Sequence, residues 1–180
     1  MPVTVEPLQQ IQGVHLVHFQ KFGDGRGYFY ESYRREWIPG AREMVQGNCS
    51  FSQAGVLRGL HYHLKQADLW GVPVGRARAA LYDFRPSSRT FRASHVVDMG
   101  AQAAIGLYIP KGVAHGFLAV EDCYMTYMVD EYYDGTDEYG VRWDDATLGI
   151  DWGAKQPPVL SPRDAANPLL ELIAPERRPR

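Results

Sequence analysis

Apolar and polar residues alternate along much of this chain, and the alternation is interrupted at short intervals by glycine, proline, asparagine and aspartate. Side chains two apart on a strand share a face, so this pattern predicts half-buried strands separated by turns. It predicts strands over residues 13–22, 28–33, 44–52, 77–84, 95–99, 105–109, 115–120 and 123–131, with a long extended stretch over 55–75. Within 123–131, Tyr124, Thr126 and Met128 share one face while Met125, Tyr127 and Val129 share the other. Gly23-Asp24-Gly25-Arg26-Gly27, Pro110-Lys111-Gly112 and Asp134-Gly135-Thr136 are turns, and residues 85–89 and 143–152 read as loops. Helix is confined to short pieces at 34–38, stopped by Pro39-Gly40, and at 167–173; residues 175–180 read as a frayed end. Closely spaced strands with almost no helix predict an all-β sandwich or jelly roll. No repeat, low-complexity segment or linker divides the 180 residues, so they make one domain, with a core of about 13–165 and a tail over 166–180.

Composition narrows the class. Apolar residues make up 45% and charged residues 22%, as in ordinary globular proteins, and 18 glycines, 12 prolines and 11 tyrosines suit strands and turns. A net charge of -2 offers nothing to nucleic acid or to an anionic membrane surface. Residues 1–12 lack a signal-peptide pattern, and no apolar run is long enough to cross a bilayer. Cys49 and Cys123 are too few for a disulfide scaffold and read as packing residues. A cytoplasmic protein without nucleic-acid or membrane partners is the expectation.

The chemistry gathers in residues 55–75, which carry Arg58, His61, His63 and Asp68. His61 and His63 are two apart and share a face of an extended chain. Histidine is both a general base near neutral pH and the commonest metal ligand, so the pair has two possible occupations. His63 by itself would suit a hydrogen-bonded packing role, and Asp68 could pair with Lys65 or Arg76 at a strand end. His15, His18 and His95 carry no motif.

Asp24-x-Arg26-Gly27-Tyr28-Phe29-x-Glu31, Gln46-x-Asn48-x-Ser50 and Leu57-Arg58-Gly59-Leu60-His61-Tyr62 together resemble the dTDP-4-dehydrorhamnose 3,5-epimerase family. Tyr108-Ile109-Pro110-x-Gly112-x-Ala114-His115-Gly116-Phe117, Tyr127 with Tyr132-Tyr133, Trp143-Asp144-Asp145 and Leu160-Ser161-x-x-Asp164 continue the resemblance in the family's order. The resemblance implies a double-stranded β-helix, the cupin jelly roll, with a few short helices and commonly a homodimer. It implies a dTDP-sugar substrate and no cofactor. Arg26 and Arg58 would hold the diphosphate, with Gln46, Asn48 and His115 close by. Phe29 would stack on thymine and Glu31 would accept its imide hydrogen. His61, oriented by Asp164, would be the general base, Tyr127 the general acid on the other sugar face, and Tyr132 part of the sugar pocket.

The chain departs from the family pattern at two positions. His63 stands where glutamine is usual, and Gln66-Ala67-Asp68-Leu69 stands where the pattern is Gln-x-Lys-Leu. An ionised aspartate cannot stabilise a developing enolate oxygen as lysine would. Gly55-x5-His61-x-His63-x4-Asp68-x6-Gly75 and Pro110-x-Gly112-x2-His115 also resemble the two metal motifs of the wider cupin superfamily. The alternative is therefore one transition-metal ion (Fe, Mn, Ni or Zn) on His61, His63, Asp68 and His115. The base and ligand roles compete for His61.

Overall fold

The computed structural model describes residues 3–180. Six strands form one sheet in the order β1 (Thr4–Pro7), β2 (His15–His18), β10 (Ile105–Ile109), β7 (Asp68–Val74), β12 (Cys123–Val129) and β5 (Gln46–Ser52). Five form a second, in the order β13 (Tyr139–Gly140), β6 (Leu57–Tyr62), β11 (Val113–Ala119), β8 (Arg76–Asp83) and β9 (Ser94–Gly100). The pairings named for both sheets are antiparallel. A separate two-stranded ribbon joins β3 (Phe22–Asp24) to β4 (Gly27–Phe29). Successive strands cross between the sheets, as in a jelly roll.

Packing follows the pleat. Trp70 and Val72 of β7, Leu107 and Ile109 of β10 and Met125 of β12 meet Ala79 and Leu81 of β8 and Val113 and Phe117 of β11 in one buried cluster between the sheets. All seven residues of β11 are buried, because it lies between β6 and β8 with both faces covered. The outer face of the second sheet presents Leu57, Tyr62 and Tyr82, and Leu148, Trp152 and Ile173 from the C-terminal third cover it.

Several expectations change in detail. The 55–75 stretch is two strands in opposite sheets, not one, and no glycine or proline marks the turn between them. A distant carboxylate makes that turn: Asp137 accepts the Leu64 and Lys65 backbone N–H groups, each at 3.0 Å. β1 was not expected and is recruited by pairing with β2. The expected 28–33 strand stops at Phe29, where its pairing with the short β3 ends. The expected loop over 143–152 contains a 3-10 turn, Ala146–Leu148, capped by Asp145. The C-terminal end is docked, not frayed. Tyr62 donates its hydroxyl to the Arg177 carbonyl at 2.9 Å, Arg178 Nε reaches the Ile173 carbonyl at 2.8 Å, and Pro179 is buried. No helix among the described residues is long and apolar enough to cross a membrane.

Candidate active site

A cavity of about 590 Å³ opens between the sheets, within the usual range for small-molecule sites. Its two walls belong to different sheets. β6 and β11 bring Arg58, His61 and His115 to one side; β5, β7 and β12 bring Gln46, Asn48, Asp68, Trp70 and Tyr127 to the other.

Two glycines let the first wall form. A Cβ on Gly59, which has φ +117°, would lie 2.7 Å from Gly116 Cα and 2.8 Å from the His115 carbonyl oxygen. One on Gly116 would lie 2.6 Å from the Arg58 carbonyl oxygen. Only glycine at both points allows this approach of β6 to β11, where the register shifts between His115 and Phe117. His61 stands opposite His115 across that pair.

His61 Nε2 lies 2.6 Å from Asp164 Oδ1. The carboxylate fixes the tautomer with the proton on Nε2, leaving the lone pair on Nδ1. Asp164 is placed by a four-residue helix, α1 (Pro162–Ala165), which Ser161 starts by capping the Asp164 backbone N–H at 3.0 Å with Pro162 behind it. Burial alone would raise the Asp164 carboxyl, but hydrogen bonds from His61, Ser161 and the Gly59 backbone outweigh it and hold it below the ordinary range. It is a carboxylate at neutral pH.

Tyr127 approaches from the facing sheet, held by the pairing of β12 with β5 and β7. Burial, reinforced by the negative charge of Asp68, raises its phenol, so the proton stays on the oxygen. Arg58 is braced by Ser52 Oγ and the Phe51 carbonyl, each 2.9 Å away, and neither bond uses Nη1. Gln46 donates to Asn48 Oδ1 at 2.9 Å, and both line the cavity.

Residues 8–171 match the dTDP-4-dehydrorhamnose 3,5-epimerase family profile. The chain is 37% identical over 169 residues to the dTDP-4-dehydrorhamnose 3,5-epimerase of Salmonella typhimurium, covering 89% of this chain and 92% of that one. It is 39% identical to the enzyme so named from Neisseria gonorrhoeae, over 85% of this chain, and spans about half (48%) of that longer protein. Its fold superposes with a TM-score of 0.94 on the 3,5-epimerase RmlC of Legionella pneumophila, a structure in complex with dTDP-4-keto-L-rhamnose. That pair is 35% identical, over 99% of this chain and 98% of the other.

The chain belongs to the dTDP-4-dehydrorhamnose 3,5-epimerase family.

In this epimerase, not every residue suggested by the resemblance reaches the cavity. Arg26, Phe29 and Glu31 sit on or beside the β3–β4 ribbon, outside it. The Arg26 side chain is 90% exposed and paired with Asp24, and Phe29 is 65% exposed. Glu31 pairs with Arg34 beside a separate small pocket that Phe29 also lines. Tyr132 is 72% exposed and does not line the cavity; its neighbour Tyr133 does, with its backbone N–H donating to Gln46 Oε1 at 3.1 Å. Trp70, Glu138 and Arg163 also line it. Trp70 could have been suspected from its alternation with Asp68 on β7, whereas Glu138 and Arg163 carry no motif.

The departures from the family pattern are drawn together. His63, Asp68 and His115 offer ligand atoms all within 4.8 Å of one another. The expected four-residue metal set is not brought together: the close group among the described residues holds His63, Asp68 and His115 without His61. Asp68 is no strand-end surface residue either: it is 3% exposed, while Lys65 pairs with Asp134 and Arg76 with Glu121. Burial pushes its carboxyl up to about 6, against the lowering pull of His63 and Gln66. Burial, with His63 adding to it, holds the His115 imidazole well below its ordinary range, so it is neutral. Cys49 is exposed, unlike the buried Cys123, so it is not the packing residue expected.

Proposed function

We propose that this chain epimerises a dTDP-4-keto-6-deoxyhexose at C3, C5 or both, by removing a proton and returning one on the opposite face. The observation that carries the reading is the placement of His61 and Tyr127 on facing sheets of one cavity, with His61 held by Asp164. The 4-keto group acidifies the neighbouring C–H bonds. His61 Nδ1 takes the proton, the C–H electron pair moves toward the C4 oxygen to give an enolate, and the Tyr127 hydroxyl protonates the carbon from the other side. Asp164 stabilises the imidazolium as it forms. Proton removal and return are redox-neutral, so no redox cofactor is needed.

Arg58, Gln46 and Asn48 line the cavity together, and a guanidinium beside two amides suits a diphosphate. Arg26, Phe29 and Glu31 keep their nucleotide-binding roles if the chain is a homodimer in which the exposed ribbon serves the partner's cavity. Sedimentation at two protein concentrations tests the dimer, and a monomer refutes it. A nucleotide-sugar substrate and unpaired cysteines fit a cytoplasmic enzyme.

The test of the reaction is incubation with dTDP-4-keto-6-deoxyglucose in deuterium oxide, followed by NMR. Deuterium at C3 or C5 is expected, and its positions count the centres inverted. A substrate that stays fully protonated at both carbons would refute the proposal.

A further inference from the structure

His63, Asp68 and His115 line the cavity as three converging acceptors. His63 Nδ1 lies 2.8 Å from the Asp137 carbonyl, and His115 Nδ1 lies 2.9 Å from the Val113 carbonyl. A carbonyl can only accept, so in the neutral imidazoles the proton sits on Nδ1 and the lone pair on Nε2. His115 Nε2 faces Asp68 Oδ2 at 3.9 Å, and the two imidazole rings are 5.6 Å apart. Asp68 receives only long bonds from Gln66 Nε2, at 3.3 and 3.4 Å, and attraction from the Trp70 indole. With both imidazoles neutral, two lone pairs and a carboxylate converge on one gap. Acceptors that face one another across a cavity wall repel, and a cation satisfies all three at once.

We propose that His63, Asp68 and His115 bind one divalent transition-metal ion in the cavity wall, separate from the His61–Asp164 pair. Two ligands each about 2.1 Å from an ion stand about 3.4 Å apart at a tetrahedral angle and about 4.2 Å apart when collinear. The 3.9 Å between His115 and Asp68 falls inside that range. Backbone carbonyls holding the far nitrogens of both histidines are the usual support of ligating imidazoles. Two histidines and one carboxylate with further positions open to a cavity suit Zn, Fe, Ni, Co or Mn in the divalent state. The local charge supports the same reading. Asp68 occupies the position where the family pattern has lysine, and a bound cation restores positive charge there.

The test uses the full chain freed of metal by chelator and dialysis, then titrated with cobalt(II) while the visible absorption is read. Bound metal is counted by elemental analysis after gel filtration. One equivalent per chain, with ligand-field bands, is the expected result. His63→Gln and Asp68→Lys each weaken binding by roughly 100-fold or more, while a combined His15→Ala, His18→Ala and His95→Ala variant retains it. Circular dichroism confirms the fold of each variant, and His63→Gln alone decides if Asp68→Lys does not fold. Substoichiometric cobalt in the unmutated protein, or full binding in folded His63→Gln, overturns the proposal. Turnover is not the readout, so either result leaves the epimerase reading to its own test.

Discussion

Replacing Asp164 by asparagine removes one charge from behind His61 and little else, which makes it a sensitive probe of the base. The hydrogen bond spans 2.6 Å, and Asp164 is buried while His61 is partly open to the cavity. With charge centres about 4 Å apart and an effective dielectric constant of about 20, the carboxylate stabilises a full imidazolium by about 4 kcal/mol. Partial solvent access at His61 reduces this to about 3 kcal/mol, or roughly two orders of magnitude in rate at 1.4 kcal/mol per decade. An amide can also present its N–H to the imidazole and favour the tautomer whose lone pair faces away from the substrate. Asp164→Asn is therefore expected to lower kcat by about 100- to 1,000-fold with KM nearly unchanged, because the carboxylate holds His61 and not the sugar. Steady-state turnover of dTDP-4-keto-6-deoxyglucose, read by NMR or by a coupled reductase, measures both constants. A fall in kcat of less than about fivefold, or a loss confined to KM, would refute the reasoning.

Other expectations concern binding and stability. Arg58→Ala removes a charged donor from the cavity rim and is expected to raise KM for the dTDP-sugar by about 10- to 100-fold, with a smaller change in kcat; an unchanged KM contradicts the phosphate role. Asp83 is fully buried and accepts from Arg85 Nε at 2.8 Å, Ser88 Oγ at 2.6 Å and Thr90 Oγ1 at 2.6 Å. Asp83→Ala strands the Arg85 guanidinium and is expected to cost about 3–5 kcal/mol, a fall in Tm of roughly 10 °C by calorimetry. Burial alone would raise the Asp83 carboxyl, but these bonds outweigh it and hold it low. Its contribution is thus complete above the unfolded value near 3.9 and is lost as pH falls through the lower folded value. A Tm difference between the two proteins that stays constant from pH 7 to pH 2 contradicts that linkage.

The sequence makes the all-β character legible because period-two alternation survives in β5 and β12, which pair along their whole length. It hides the break between β6 and β7, since the turn is made by Asp137, about 70 residues away. Alternation cannot register a partner so remote. The His61–Asp164 pair is visible only through motif order, because 103 positions separate its members. Tyr132 and Tyr133 are adjacent and chemically alike, so sequence alone does not tell which faces the cavity. Asp68 is instructive in another way. A carboxylate at the start of a strand reads as a solvent-facing residue, yet strands on both sides of β7 bury it, next to two histidines brought in by separate elements. The ribbon carrying Arg26 and Phe29 matches its motif well and still lies outside the cavity, since a motif records residue types and not which cavity they serve.

The central claim is a base on one sheet and an acid on the other, and the two functions can be separated by isotope. In deuterium oxide, His61→Asn leaves no group to remove the proton and is expected to incorporate no deuterium into dTDP-4-keto-6-deoxyglucose. Tyr127→Phe keeps the base, so the enolate still forms and His61 returns a deuteron to the face it came from. NMR of the recovered sugar should then show deuterium with the starting configuration retained. Deuterium uptake by His61→Asn near the unmutated rate, or inversion at that rate by Tyr127→Phe, would contradict the account.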